Sequence, residues 1–188
     1  YNPGEKAVAD VIYMVNELKK MPFINQVALM GNGTGAGIIL KAVTDSAIAD
    51  VVVLQNLPYS LSRLIRRQAV KEWGKLIQPI MPVAIRSYER KTGIRLNQFT
   101  YIDLIKTLNI PHLFVTANFY SKKDIDDTVE MHKASTYYKK RIYIDTHTFR
   151  KPTGLNNDKK YYDKISTYIN SSLPSKSKKT RFRKLAFQ

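Results

Sequence analysis

The sequence predicts an α/β fold: a mostly parallel sheet flanked by helices. Three observations carry that expectation. Short apolar runs alternate along the chain with longer stretches of helical periodicity. One run, Val51-Val52-Val53-Leu54, is apolar at every position, as a strand buried on both faces must be. A glycine-rich turn, Gly31-Asn32-Gly33-Thr34-Gly35, stands between a strand-like and a helix-like segment.

The elements follow in order. Val8, Val11, Ile12, Val15 and Leu18 recur at helical spacing from Glu5 to Lys20, with Lys19 and Lys20 in the last turn. Gln26 to Met30 reads as a strand, the glycine turn follows, and Ala36 to Val43 reads as a helix. Ala49 to Leu54 is the buried strand. Ser60 to Leu76 is a basic helix bearing Arg63, Arg66, Arg67 and Lys71; Pro79 and Pro82 mark a bend before a second helical stretch that ends near Lys91. Ile102 to Leu108 is a short helix, and His112 to Ala117 a strand. Asp124 to Tyr138 is a helix with Asp126 and Asp127 placed to favour its first turn, and Arg141 to Asp145 a strand. Lys159 to Leu173 is a closing amphipathic helix built on Tyr162, Ile165, Tyr168 and Ile169, which Pro174 ends. The four strands are expected to be neighbours in chain order. Residues 1–173 form one domain and residues 174–188 a basic tail. A four-stranded sheet entered by a helix would carry an unpaired apolar edge, so a partner or a preceding half of the fold is expected to cover it.

Composition narrows the function. The chain has 188 residues, enough for one domain with a core, and 44% of them are hydrophobic. It has no cysteine, which excludes disulfides, thiolate chemistry and Cys-based zinc sites. No apolar run approaches the roughly 20 residues of a membrane span, and no secretory signal is visible, so an intracellular protein without a membrane span is expected. The three histidines, His112, His132 and His147, are scattered, so no metal site and no cofactor are expected. Lys and Arg number 31 against 15 Asp and Glu, a net charge of +16. Such an excess suits a polyanionic partner: RNA, DNA, an acidic protein polymer or an anionic membrane surface.

The glycine turn admits two functional readings. Gly31, Gly33 and Ala36 satisfy G-x-G-x-x-G/A, the dinucleotide fingerprint, whose small residues let a pyrophosphate reach a helix N-terminus. That motif also expects an acid at the end of the next strand, where this chain has Gln55-Asn56. The other reading is the nucleophile elbow G-x-S-x-G, with Gly31 and Gly35 as its glycines and Gly33 in place of the serine. The elbow's central residue is strained, and glycine relieves the strain. Without a nucleophile an elbow is simply a tight strand-to-helix turn.

Four segments in order resemble the serine α/β-hydrolases of the depalmitoylase-like and protist type. Gly31 to Ala36 resembles their elbow, and Val53 to Leu61 (Val-Leu-Gln-Asn-Leu-Pro-Tyr-Ser-Leu) their following strand. Ile110 to Ala117 (Ile-Pro-His-Leu-Phe-Val-Thr-Ala) resembles the later strand that precedes their acid. His147-Thr148-Phe149-Arg150-Lys151-Pro152, followed by Tyr161-Tyr162-Asp163, resembles their histidine region. The resemblance runs from about Tyr1 to Leu173 and implies a partial α/β-hydrolase fold, the C-terminal portion. It also implies a degenerate triad: the nucleophile position falls on Gly33, the acid position on Asn118 to Ser121 with Tyr120 the nearest match, and the histidine position on His147. A base without a hydroxyl to deprotonate or an acid to orient it is not a triad, so no catalytic residues and no enzyme are expected.

The tail carries Lys176, Lys178, Lys179, Arg181, Arg183 and Lys184 with Phe182 and Phe187 and no acid. Cations beside rings suit RNA, where phosphates and bases offer both kinds of contact; a solvated tail is the plain alternative. Arg63, Arg66 and Arg67 on the basic helix extend the same expected surface. The function these features imply is a non-catalytic structural subunit of a large protein or ribonucleoprotein assembly. A mitochondrial ribosome fits by analogy, as a particle built partly from former enzymes. An acidic filament such as a microtubule is a second host, and an active esterase or thioesterase with an atypical site is the rival class.

Overall fold

The structure, a computed structural model, describes residues 3–92, 96, 100–117, 122–144 and 159–173. Helix α1 (Pro3–Lys20) precedes strand β1 (Ala28–Asn32), helix α2 (Thr34–Ser46) and strand β2 (Val51–Gln55). An excursion follows: α3 (Leu61–Trp73), a 3-10 turn (Lys75–Ile77) and α4 (Met81–Thr92). The chain returns through α5 (Tyr101–Thr107), β3 (His112–Ala117), α6 (Lys122–Ala134), β4 (Lys139–Ile144) and α7 (Lys159–Ser172).

The four strands form one parallel sheet in the order β1-β2-β3-β4, as the sequence predicts. Alternation along β2 and β3 sorts their side chains to opposite faces. Val52, Leu54 and Phe114 face a core built with Val15 of α1, Leu40 and Val43 of α2, Ile105 of α5 and Met131 of α6. Val51, Val53, Leu113 and Val115 face Tyr161, Ile165 and Tyr168 of α7. Every residue of β2 is buried, which is why its sequence is an unbroken apolar run up to Gln55. β1 pairs with β2 on one side only; among the described residues no strand lies on its other edge.

The excursion departs from the expected elements. The predicted helix to Leu76 stops at Trp73, because Gly74 takes φ 77 and its N–H bonds to Val70 O. The Ser60 hydroxyl caps the start of α3 by accepting from Arg63 N at 3.1 Å. At its base the excursion is closed by an antiparallel bridge between Ser60 and Thr100 and by Tyr101 N donating to Tyr59 O. A small core of its own, Ala69, Met81, Ile85 and Leu96, is supported by Leu61, Ile65 and Ile77.

Helix α6 starts at Lys122 and ends at Ala134, short of the predicted Tyr138. With that start Asp124, not Asp126 or Asp127, is the first-turn acid. Asp127 lies one turn further in, with its side chain 8% exposed, and its partners are arginines. His112 opens β3 with no exposure. Its Nδ1–H donates to Ile110 O at 2.8 Å, so Nε2 accepts from the Ser135 hydroxyl at 2.7 Å. Burial pushes its pKa below the ordinary histidine value, so the imidazole is neutral.

Candidate functional site

The glycine turn stands where β1 gives way to α2, at the carboxyl end of the sheet. Gly33 adopts φ 58, ψ −122, outside the wells open to ordinary residues, and caps α2 with its carbonyl, which accepts from Gly37 N. Its own N–H donates to Gln55 O at 2.9 Å, so the apex is tied to the neighbouring strand. The flanking glycines have different reasons. A Cβ on Gly31 would stand 2.7 Å from the backbone of Ala36, so only glycine permits so sharp a reversal. A Cβ on Gly37 would overlap the hydroxyl end of the Tyr101 ring, which packs against the first turn of α2. A Cβ on Gly33, by contrast, would meet nothing within 4 Å. The apex is therefore a strained position facing open space, with no side chain on it: the geometry of an elbow without the group an elbow presents.

The surrounding groups are amides and hydroxyls. Asn56, itself at φ 50, donates through Nδ2 to Asn32 Oδ1 at 2.8 Å, locking the carboxyl ends of β1 and β2 together. Gln55 is buried and its Oε1 accepts from the Tyr161 hydroxyl at 2.7 Å, which ties α7 to the sheet. In the sequence Gln55 and Asn56 stand only where the dinucleotide motif would have an acid. A polar residue ending an otherwise apolar buried strand is the signal of this contact, since a buried amide requires a partner. Thr34 is exposed one residue past the apex. Among the described residues no group of His, Asp or Glu is placed to hold a metal. His112 and His132 are both in edge-on ring contact with Phe114 and lie on β3 and α6 respectively, not at the turn.

No family model matches the sequence, and no curated protein matches it. Solved structures do. A dienelactone hydrolase from Anabaena variabilis superposes with a TM-score of 0.56 at 13% identity, over 89% of this chain and 60% of its own. The fold is that of the α/β hydrolases. An acetyl xylan esterase from Paenibacillus matches with a TM-score of 0.61 at 12% identity, over 88% of this chain and 52% of its own. An acylaminoacyl peptidase from Pyrococcus horikoshii matches with a TM-score of 0.61 at 11% identity, over 90% of this chain and 28% of its own. This chain thus spans 60% or less of each of these three proteins.

Of the positions singled out in the sequence, Gly33 is where an elbow apex belongs. Tyr120 and His147 lie outside the described residues, as do Lys176, Lys178, Lys179, Arg181, Arg183 and Lys184. The basic helix is described, and its arginines are not equivalent. Arg63 bonds Asp127 at 3.0 Å and lies 3.7 Å over the Tyr59 ring. Arg67 bonds Asp124 and approaches the second oxygen of Asp127 to 2.8 Å, an ion-pair contact without hydrogen-bond geometry. Burial pushes the Asp127 carboxyl up, and the two guanidiniums pull it back in part. Arg63 and Arg67 therefore join α3 to α6, while Arg66 stays exposed with no acidic partner among the described residues.

Proposed function

We propose that this protein is a non-catalytic α/β-hydrolase-fold subunit of a large anionic assembly, with RNA as the polyanion and a mitochondrial ribosome as the host. The observation that carries the first half is the bare apex at Gly33: the turn keeps the elbow's strained backbone, yet the position that would attack a carbonyl has no atom to attack with. The second half rests on the net charge of +16 and on a tail with six bases and no acid between Lys176 and Lys184. Arg66, exposed and unpaired by any described acid, is a further cation available to a polyanion. The free edge of β1 is the natural seat for a strand from a partner or from further chain.

The test has two arms. Purified protein is incubated with a serine-directed fluorophosphonate probe, and no labelling is expected. Cell extract is then fractionated, and the protein is expected with ribosomes, released by nuclease and by high salt. Co-pelleting with polymerised tubulin, insensitive to nuclease, would transfer the proposal to an acidic filament. The second reading, an active esterase or thioesterase, is favoured by the enzyme names of the structural neighbours and by the exposed Thr34 hydroxyl beside the apex. Stoichiometric probe labelling at or near the turn would establish that reading in place of the first.

A further inference from the structure

The reversal between α3 and α4 exposes four large apolar side chains within eleven residues. Trp73 is 70% exposed, Leu76 89%, Ile80 57% and Val83 68%. They are not loose ends of a mobile loop. Ile77 N donates to Gly74 O, Gln78 N to Lys75 O, Ile80 N to Ile77 O and Ala84 N to Ile80 O, so the reversal is hydrogen-bonded throughout. Inward-pointing Ile77, Met81 and Ile85 anchor it on the excursion's own core. The same hydrogen-bonded turn therefore holds one apolar row in and a second apolar row out, at a cost of hydrating apolar surface that a surface with no partner has no reason to carry.

The charges behind the tip are arranged in register with it. Arg66 is seven residues before Trp73 on α3, and Arg90 seven residues after Val83 on α4, with Arg86 between. Two helical turns put each of these arginines on the face of its apolar partner and roughly 10 Å back from it. Lys75 stands beside Leu76. Arg66, Lys75, Arg86 and Arg90 are all exposed, and none forms an ion pair among the described residues. The neighbouring acids are already engaged: Glu72 accepts from Gln68, and Glu89 from Leu96 N.

We propose that this tip is a peripheral docking element for an anionic lipid bilayer, with Trp73, Leu76, Ile80 and Val83 entering the boundary between headgroups and acyl chains while Arg66, Lys75, Arg86 and Arg90 meet lipid phosphates. Interfacial segments seat their apolar face roughly 5–10 Å deep, which matches the spacing between the apolar row and the arginines. Tryptophan prefers that interface, and basic residues near it add attraction to anionic lipid. RNA would reward cations and rings, but gives Leu76, Ile80 and Val83 nothing to stack on. Four exposed side chains also fall short of the roughly 20–30 residues each partner commits to a stable protein interface, whereas a fluid bilayer deforms around them. Among the described residues no helix is long and apolar enough to cross a membrane, so the attachment is to the surface. The inference is independent of whether the turn at Gly33 is catalytic.

Trp73 is the chain's one tryptophan, so its fluorescence reports this tip alone. The full-length protein is mixed with vesicles of phosphatidylcholine, or of phosphatidylcholine with phosphatidylglycerol. Flotation with the anionic vesicles is expected, with a blue shift of Trp73 emission and quenching by lipids brominated in the upper acyl chain. The double variant Leu76→Ser, Ile80→Ser keeps the reporter and, since both positions are exposed, the fold, which circular dichroism checks. Its affinity is expected to fall about tenfold or more. Three outcomes overturn the proposal: no flotation; flotation with Trp73 unshifted, which assigns binding to the basic tail; or a Trp73 shift produced by RNA or by a protein fraction and not by anionic vesicles.

Discussion

The turn at Gly33 and the reversal at Gly74 both hinge on a glycine at positive φ, and they have opposite surroundings. The first has close-packed flanks, although the Gly33 apex itself faces open space: Gly31 abuts the Ala36 backbone, Gly37 abuts Tyr101, Asn56 bonds Asn32 and Tyr161 bonds Gln55. The second has open flanks: the residues after Gly74 present Leu76 and Ile80 to solvent. In the first turn the backbone path dictates glycine at three positions, Gly31 and Gly37 by crowding and Gly33 by its positive φ. In the open one it dictates only the glycine, and the apolar residues are left for something outside the chain to explain. A turn with no side chain at its apex can still be tightly specified, because the β1-to-α2 reversal needs it whether or not a reaction does.

Substitution of the glycines gives the largest expected effect and the sharpest contrast. Gly31→Ala is expected to destabilise the protein by about 3 kcal/mol, since the new methyl meets backbone that cannot move aside. Gly33→Ser, only two residues away, has room and bears only the φ strain, about 1–2 kcal/mol. Urea unfolding of both variants checks this. Equal losses would mean that crowding, not conformation, governs the whole turn. If the proposed non-catalytic reading holds, parent protein and Gly33→Ser alike are expected to show no turnover of p-nitrophenyl acetate, because a hydroxyl alone does not make a triad.

An intermediate effect tests how the excursion is held to the sheet domain. Asp127→Ala removes the carboxylate that meets both Arg63 and Arg67. The guanidiniums are about a quarter to a half exposed, so water recovers much of the lost interaction, and the expected loss is about 1 kcal/mol by urea unfolding. A loss as large as that of Gly31→Ala would show that α3 and α6 depend on one another as strongly as the strands do.

The smallest effect belongs to the open turn. Leu76→Ser is expected to leave stability within about 0.5 kcal/mol, because the side chain is already in water in the folded state. A thermal melt of the variant beside the parent protein is sufficient. A clear destabilisation would mean that Leu76 packs against the protein itself, and would remove the contrast between the two turns.

The sequence by itself determined that the four strands exist, to within about two residues at their ends, together with their order and the position of the glycine apex. Those features are local or periodic: an unbroken apolar run marks β2, helical spacing marks α1 and α7, and Gly31 to Gly35 marks a sharp strand-to-helix reversal. It also showed that the apex lacks a hydroxyl, since that is a matter of identity at one position. The tertiary structure decided what the sequence left open. Arg63 and Arg67 read as free bases along the chain, and only packing brings them against acids 57 and 64 residues away. Gln55 is only a missing acid in the sequence, and only packing brings Tyr161, 106 residues on, to bond it. Ile77 and Ile80 are chemically the same residue three positions apart, yet one anchors a core and the other meets solvent. Residue type sets what a side chain can do, but which neighbours it meets depends on chain folded in from far away, and no local pattern encodes that distance.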